Sequence, residues 1–195
     1  MPSGLGVTWM DKHKQETLSS PREVIRSRRK NLAYRAEISL FAARSVTLAL
    51  MMVVILGGIF GIAVMKNNDM SPRISAGDLM LYYRLEKDLT AGDIAVFIKE
   101  GRRYAGRVVA KGGDTVEITK DAELMVNGSL VVENDIYYST PQYEEGISYP
   151  VTLEQDKYFI LCDYREGAKD SRFFGAVSKK EIKGKVITVI RRSNL

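Results

Sequence analysis

The chain has 195 residues, 45% hydrophobic and 27% charged, with a formal net charge of +5. That length allows one folded domain plus an appendage, and a single cysteine, Cys162, excludes an intrachain disulfide. The whole +5 lies in residues 1–44, where nine Lys and Arg face four Asp and Glu; the balanced remainder gives a nucleic-acid-binding reading no footing despite a pI near 9.2.

Residues 1–20 are polar and aperiodic and read as a flexible tail, with Trp9 and His13 as solvated tail residues. SPRE at Ser20 to Glu23 has the order of a helix start: Ser at the N-cap, Pro at the first helical position, Glu at the third. From 45 to 65 the sequence SVTLALMMVVILGGIFGIAVM carries no charge over 21 residues, enough at helical rise to cross a hydrocarbon core of about 30 Å. A signal peptide has a shorter apolar region nearer the chain start, so this stretch is expected to be a permanent membrane anchor. Its basic flank, RSRRK at Arg26 to Lys30 included, predicts that residues 1–44 stay in the cytoplasm and 66–195 lie outside. The expected organisation is therefore a basic cytoplasmic tail (1–44), one transmembrane helix (45–65) and an extracytoplasmic domain (66–195) in a single-pass cell-membrane protein.

Beyond residue 65 the pattern changes to strands. LMLYYRL (79–85), DIAVFIKE (93–100), RYAGRVVAK (103–111) and TVEITK (115–120) are short, rich in β-branched and aromatic residues, and separated by turn residues. ELMVNGSLVV (123–132) holds Asn127-Gly128 between apolar runs, a hairpin signal. Residues 133–155 are more polar and broken by Pro141, Gly146 and Pro150, so a smaller inserted subdomain is expected at about 120–155. KYFILCDYR (157–165) and KGKVITVIRR (183–192) return to strand pattern. The predicted fold class is mainly β: an antiparallel β-rich domain behind one N-terminal helix.

Four segments then carry a resemblance: DMSPRISAGD (69–78), GDIAVF (92–97), RYAGRVVAKGGDTVEI (103–118) and CDYREGAKDSRFFGAV (162–177). Each is weak alone, but in this order behind a basic-flanked apolar helix they resemble the type I signal peptidases. Those are membrane-anchored serine proteases that remove signal peptides on the outer face of the membrane. The resemblance implies a serine nucleophile in a Ser-Met-x-Pro pattern and a lysine base just before an Arg-Val pair. That lysine must be desolvated to be neutral at working pH.

Residue by residue, Met70, Ser71 and Pro72 match Met-x-Pro, which puts Asp69 at the nucleophile's position. Arg107-Val108 matches Arg-Val, which puts Gly106 at the base's position, and Ala168 stands where the family has a serine that orients the lysine. Cys162 and Tyr164 replace a Gly and an Asn of the last motif. Retained are Arg107, Gly113, Asp114, Asp163, Arg165, Asp170, Ser171, Arg172 and Gly175, the positions that build the fold. A carboxylate is a poor nucleophile toward an amide, and loss of a nucleophile or base costs on the order of a million-fold in turnover. No active catalytic residue is therefore expected; a dyad relocated to Ser71 or Ser75 with Lys111 or Lys169 would need a geometry the motif does not supply.

What the resemblance leaves is a groove that reads an extended peptide by strand addition and shallow apolar pockets. Met70, Ser71, Pro72, Ile74, Leu79, Leu81 and Tyr82 are its candidate lining, with core packing as the competing role. The replaced dyad resembles the signal-peptidase-like proteins that accompany sortase-built pili in Gram-positive bacteria. That likeness implies a non-catalytic peptide-binding or chaperone-like factor whose partners are pilin subunits or a sortase, with no cofactor, no metal and no nucleic acid. The alternative is an active signal peptidase, and the sequence is compatible with either a monomer or a homodimer.

Overall fold

The computed structural model describes residues 21–134 and 136–191. The expected tail at 1–20, with its Ser20 cap, and Arg192 at the end of the last predicted strand lie outside the described residues. The chain divides into two units, Met1–Met52 and Val53–Leu195.

Helix α1 runs over Pro21–Val54 and continues as one π-helical turn at Ile55–Ile59. Its large apolar side chains are exposed, from Ile25 and Leu32 through Leu48 and Leu50 to Val53 and Val54, as in a helix whose solvent is lipid. The sequence pattern carries this helix to Met65, but helical backbone ends at Ile59 and Phe60–Val64 is strand β1. Two causes act together. Gly57-Gly58 weakens the last turn, and β1 pairs residue for residue with strand β2 (Leu79–Tyr83), from Phe60↔Tyr83 to Val64↔Leu79. The close approach needs a glycine at 61, where an added Cβ would lie 2.2 Å from the Tyr82 ring.

The remaining strands are β3 (Ile94–Lys99), β4 (Arg102–Lys111), β5 (Thr115–Ile118), β6 (Leu124–Val126), β7 (Ser129–Leu130), β8 (Val151–Thr152), β9 (Lys157–Leu161), β10 (Val177–Ser178) and β11 (Ile182–Ile190), with the short helix α2 (Ser171–Phe174) between β9 and β10. They form two antiparallel sheets, one of seven strands in the order β1-β2-β11-β3-β4-β9-β10 and one of four in the order β7-β6-β5-β8. The mainly antiparallel β fold behind one apolar helix is thus observed. The smaller sheet begins at Thr115, earlier than the expected 120, because Thr115↔Thr152 and Val116↔Val151 close it. The Asn127-Gly128 turn adopts φ of 53° and 75° between β6 and β7, the positive-φ pair of a tight hairpin.

Side-chain alternation sorts the core. Val96 and Ala105 face a cluster holding Met70, Ile74, Met80, Tyr82, Cys162 and Ala168. Their neighbours Ala95, Phe97 and Val108 face a second cluster with Tyr158, Ile160 and Ile182. A third, around Phe159, Leu161 and Val116, joins the two sheets.

Candidate functional site

The loop from Asn67 to Asp78 is a chain of local turns. Ser71 N–H donates to Asn68 O and Ile74 N–H to Met70 O, both at 2.9 Å. Ser75 N–H donates to the Asp78 carboxylate and Ala76 N–H to Asn68 Oδ1. Met70 and Ile74 are both 0% exposed and pin the loop into the core, and Met70 Sδ accepts the Asp163 N–H. These contacts present Asp69 half-buried at the surface, with its backbone oxygen accepting Tyr164 N–H at 2.9 Å and its carboxylate accepting Asn67 Nδ2 at 2.5 Å. Burial raises the Asp69 pKa; the Asn67 hydrogen bond opposes the rise and the Asp170 charge adds to it.

The retained residues form a buried frame around this loop. Arg107 makes a two-point ion pair with Asp163 (2.8 and 2.6 Å) and donates to Gly92 O. Arg172 pairs with Asp170 at 3.0 and 2.9 Å. Asp170 also caps α2 and accepts Cys162 N–H. Ser171 Oγ accepts Ile160 N–H. Gly175 ends α2 at φ 76°, Gly113 turns at φ 93°, and Asp114 accepts Lys111 N–H and Asn127 Nδ2. Arg165, fully buried, reaches Cys162 O, Thr140 Oγ1 and both oxygens of Glu133.

Glu133 and Thr140, with Pro141 and Tyr143, lie in the polar stretch expected to be an inserted subdomain, yet they strap the last motif down. Tyr143 donates from its hydroxyl to Ala168 O, its ring lies under the Arg172 guanidinium at 4.3 Å, and Pro141 O accepts from Arg172. Each pairing joins residues 25 or more positions apart, so nothing in the local sequence marks these partners.

Three of the replaced positions, Ala168, Cys162 and Gly106, are closed rather than vacant. Ala168 is 1% exposed and packs with Met70, Ala105 and Cys162. Cys162 is buried, and burial, with the Asp170 and Asp69 charges, holds its thiol well above the usual range, so it is a thiol and not a thiolate nucleophile. At Gly106 an added Cβ would lie 2.6 Å from Ile160 Cγ2 and 3.1 Å from Leu161 O. A lysine there would start inside Ile160, on the side of β4 that holds the Phe97 cluster, while Met70 and Ala168 pack on the Ala105 side. Asp170 is the carboxylate whose field reaches Asp69, but its oxygens are held by Arg172 and by backbone N–H groups, so the two do not form a proton-sharing acid pair. Neither Lys111 nor Lys169 is hydrogen-bonded to Ser71 or Ser75 among the described residues; Lys169 lies over the Phe173 ring at 4.6 Å.

The expected groove lining needs correction. β2 is an interior strand, paired with β1 on one side and β11 on the other, so its edge is not available to a peptide. Met70, Ile74 and Tyr82 are core residues; Leu81 is half-buried and Leu79 and Pro72 are exposed, with Ser71 intermediate. An open edge lies elsewhere. β4 pairs with β3 over Arg102–Arg107, but its pairing with β9 begins at Arg107, so the opposite edge over Arg102–Gly106 has no strand partner among the described residues. Cys162 Sγ donates weakly to Ala105 O at 3.7 Å on that edge.

Comparison with known proteins bears on the family. Residues 38–190 match the family model described as signal peptidase, peptidase S26. The chain is 28% identical over 158 residues to a signal peptidase I of Bacillus amyloliquefaciens, covering 73% of this chain and 82% of that protein. It is also 28% identical over 159 residues to the inactive signal peptidase IA of Staphylococcus aureus, covering 76% and 86%. Among solved structures, a signal peptidase I from Enterococcus faecalis is 28% identical and covers 52% of this chain and 97% of its own, with a TM-score of 0.44.

Proposed function

This chain belongs to the signal peptidase S26 family, and we propose that within it the protein is a membrane-anchored, non-catalytic peptide-binding factor. The observation that carries the reading is Gly106. The position matching the base carries no side chain and is closed over by Ile160, so the site has no lysine base and no space for one there without repacking. The bound segment adds to the free Arg102–Gly106 edge of β4, and the Asp69–Ser71 loop forms the other wall. The ligand is an extended segment of an exported protein, and the replaced dyad favours pilin subunits or the sortase that joins them as the partners. The N-terminal helix holds the site at the membrane, with the basic side in the cytoplasm and the β domain outside.

Full-length protein in lipid nanodiscs, incubated with a signal-peptide-bearing pilin precursor, is expected to leave it intact. Cleavage lost in Asp69→Ala or Ser71→Ala would overturn the reading in favour of an active signal peptidase. A photo-crosslinker placed at Arg103 or Ser71 in cells is expected to capture pilin or sortase; capture of neither would refute the groove.

A further inference from the structure

The depth of the membrane anchor follows from where the helix stops. Phe60–Val64 is a strand whose backbone is paired with β2, and Ala63 is buried in the same core as Met80 and Tyr82. These five residues belong to the folded β domain, and an open strand edge is not a structure that hydrocarbon tolerates. A helix that ends at Ile59 and crosses a core of about 30 Å needs about 20 residues at 1.5 Å each, which reaches back to Leu40. That span includes Arg44, which a reading of 45–65 as the span leaves outside.

Resting on the membrane-anchor reading, we infer that the hydrocarbon-spanning segment is Leu40–Ile59 and that Arg44 binds lipid phosphates of the cytoplasmic leaflet, fixing the depth of the helix. Arg44 is exposed, on the side of α1 that carries Leu40, Ala43, Thr47, Leu48 and Met51. Its Cα–Cβ bond tilts toward the helix N-terminus, the cytoplasmic end, so the aliphatic stem runs outward along lipid. The climb from Arg44 to Leu40 is about 6 Å along the axis, within a stretched arginine's reach. At that level the guanidinium meets phosphate oxygens, which its planar fork of donors matches in two-point geometry. Arg35 lies about 8 Å beyond Leu40 and faces the headgroups of the same leaflet. The remaining side chains of Leu40–Ile59 carry no charge.

The test uses full-length protein with Ser39→Cys, Thr47→Cys, Ala49→Cys, Met52→Cys or Ile55→Cys, each labelled with a small fluorophore while native Cys162 stays protected by burial. The proteins are reconstituted in phosphatidylcholine vesicles containing a minority of phosphatidylglycerol and quenched by lipids doxyl-labelled at different depths. Deepest quenching is expected at Ala49; a maximum at Met52 or Ile55 overturns the assigned span. Spin-labelled phosphatidylglycerol is expected to be preferred over spin-labelled phosphatidylcholine beside the helix, with the preference reduced by Arg44→Leu and only partly kept by Arg44→Lys, which retains the charge without the two-point fork. A preference that Arg44→Leu leaves unchanged overturns the phosphate role. Absence of lipid quenching at every position would instead sink the membrane-anchor reading, a separate failure.

Discussion

Asp69 occupies a half-buried position where an ionised carboxylate is disfavoured by burial, with Asn67 donating to it and the Asp170 charge acting against it. Its folded-state pKa is raised above the ordinary 3.8, so the folded chain binds this proton more tightly than the unfolded chain. Native stability is therefore lost as pH climbs from 3.8 through the folded-state value, and the carboxylate costs nothing below that window. Asp69→Asn keeps an acceptor for Asn67 and removes the ionisation. It is expected to raise the Tm at pH 7 and leave it unchanged at pH 3; an equal effect at both would show that the charge is not the cause. Gly106 makes a second residue-scale case. Gly106→Ala is expected to cost about 1–3 kcal/mol by overpacking against Ile160, and measurably less in an Ile160→Ala background, as urea denaturation of the full cycle would show. The same clash, on the face of β4 away from Met70 and Ala168, means that Asp69→Ser, Gly106→Lys and Ala168→Ser together should not restore cleavage; activity from the triple variant would show that β4 can turn the new side chain toward the loop.

Among the elements, the stretch carrying Glu133, Thr140, Pro141 and Tyr143 fastens Arg165, Ala168 and Arg172 of the last motif beside α2. Arg165 is fully buried between them, tied to Glu133, Thr140 and the Cys162 carbonyl. Replacing it with Met leaves Glu133 and a backbone carbonyl without their partner inside the fold. Arg165→Met is expected to cost about 3–5 kcal/mol in urea unfolding, and Glu133→Gln much less, because its amide still reaches solvent and can accept one bond from Arg165. A loss below about 1 kcal/mol for Arg165→Met would mean that the ion pair exchanges freely with water. β4 shows how one element can serve two purposes. Its N-terminal half pairs with β3 and its C-terminal half with β9, the two ladders meeting at Arg107, so the N-terminal half keeps one edge without a strand partner among the described residues. The β9 ladder fixes the position of that edge, as the proposed strand addition requires.

At the scale of the whole molecule, a long exposed helix and a β domain stand as two units. The first half of α1 is basic and its second half apolar, so a membrane can take the second half while the first stays with the anionic cytoplasmic leaflet. Alkaline carbonate is expected to leave the full chain in the membrane fraction, and protease added to intact protoplasts is expected to remove the β domain while sparing an N-terminal fragment. Release by carbonate would refute the anchor, and protection of the β domain would invert the topology.

The sequence by itself determined the class of fold, the family and the positions of most strands, because each is written in a local pattern or a motif of fixed spacing. It overran the helix at Phe60–Val64, since FGIAV continues an apolar run and nothing in five residues distinguishes a helical turn from a half-buried strand. Pairing with Leu79–Tyr83 decided that, across a loop the pattern cannot see. Nor could the sequence tell groove lining from core for Met70, Ile74 and Tyr82: burial makes all three core, and only the strand order shows β2 paired on both sides and the Arg102–Gly106 edge of β4 without a strand partner among the described residues. The closure of Gly106 by Ile160 and the strap from Glu133 to Arg165 join residues distant in the chain. Such contacts arise from packing and charge pairing between elements, which tertiary structure alone brings within reach.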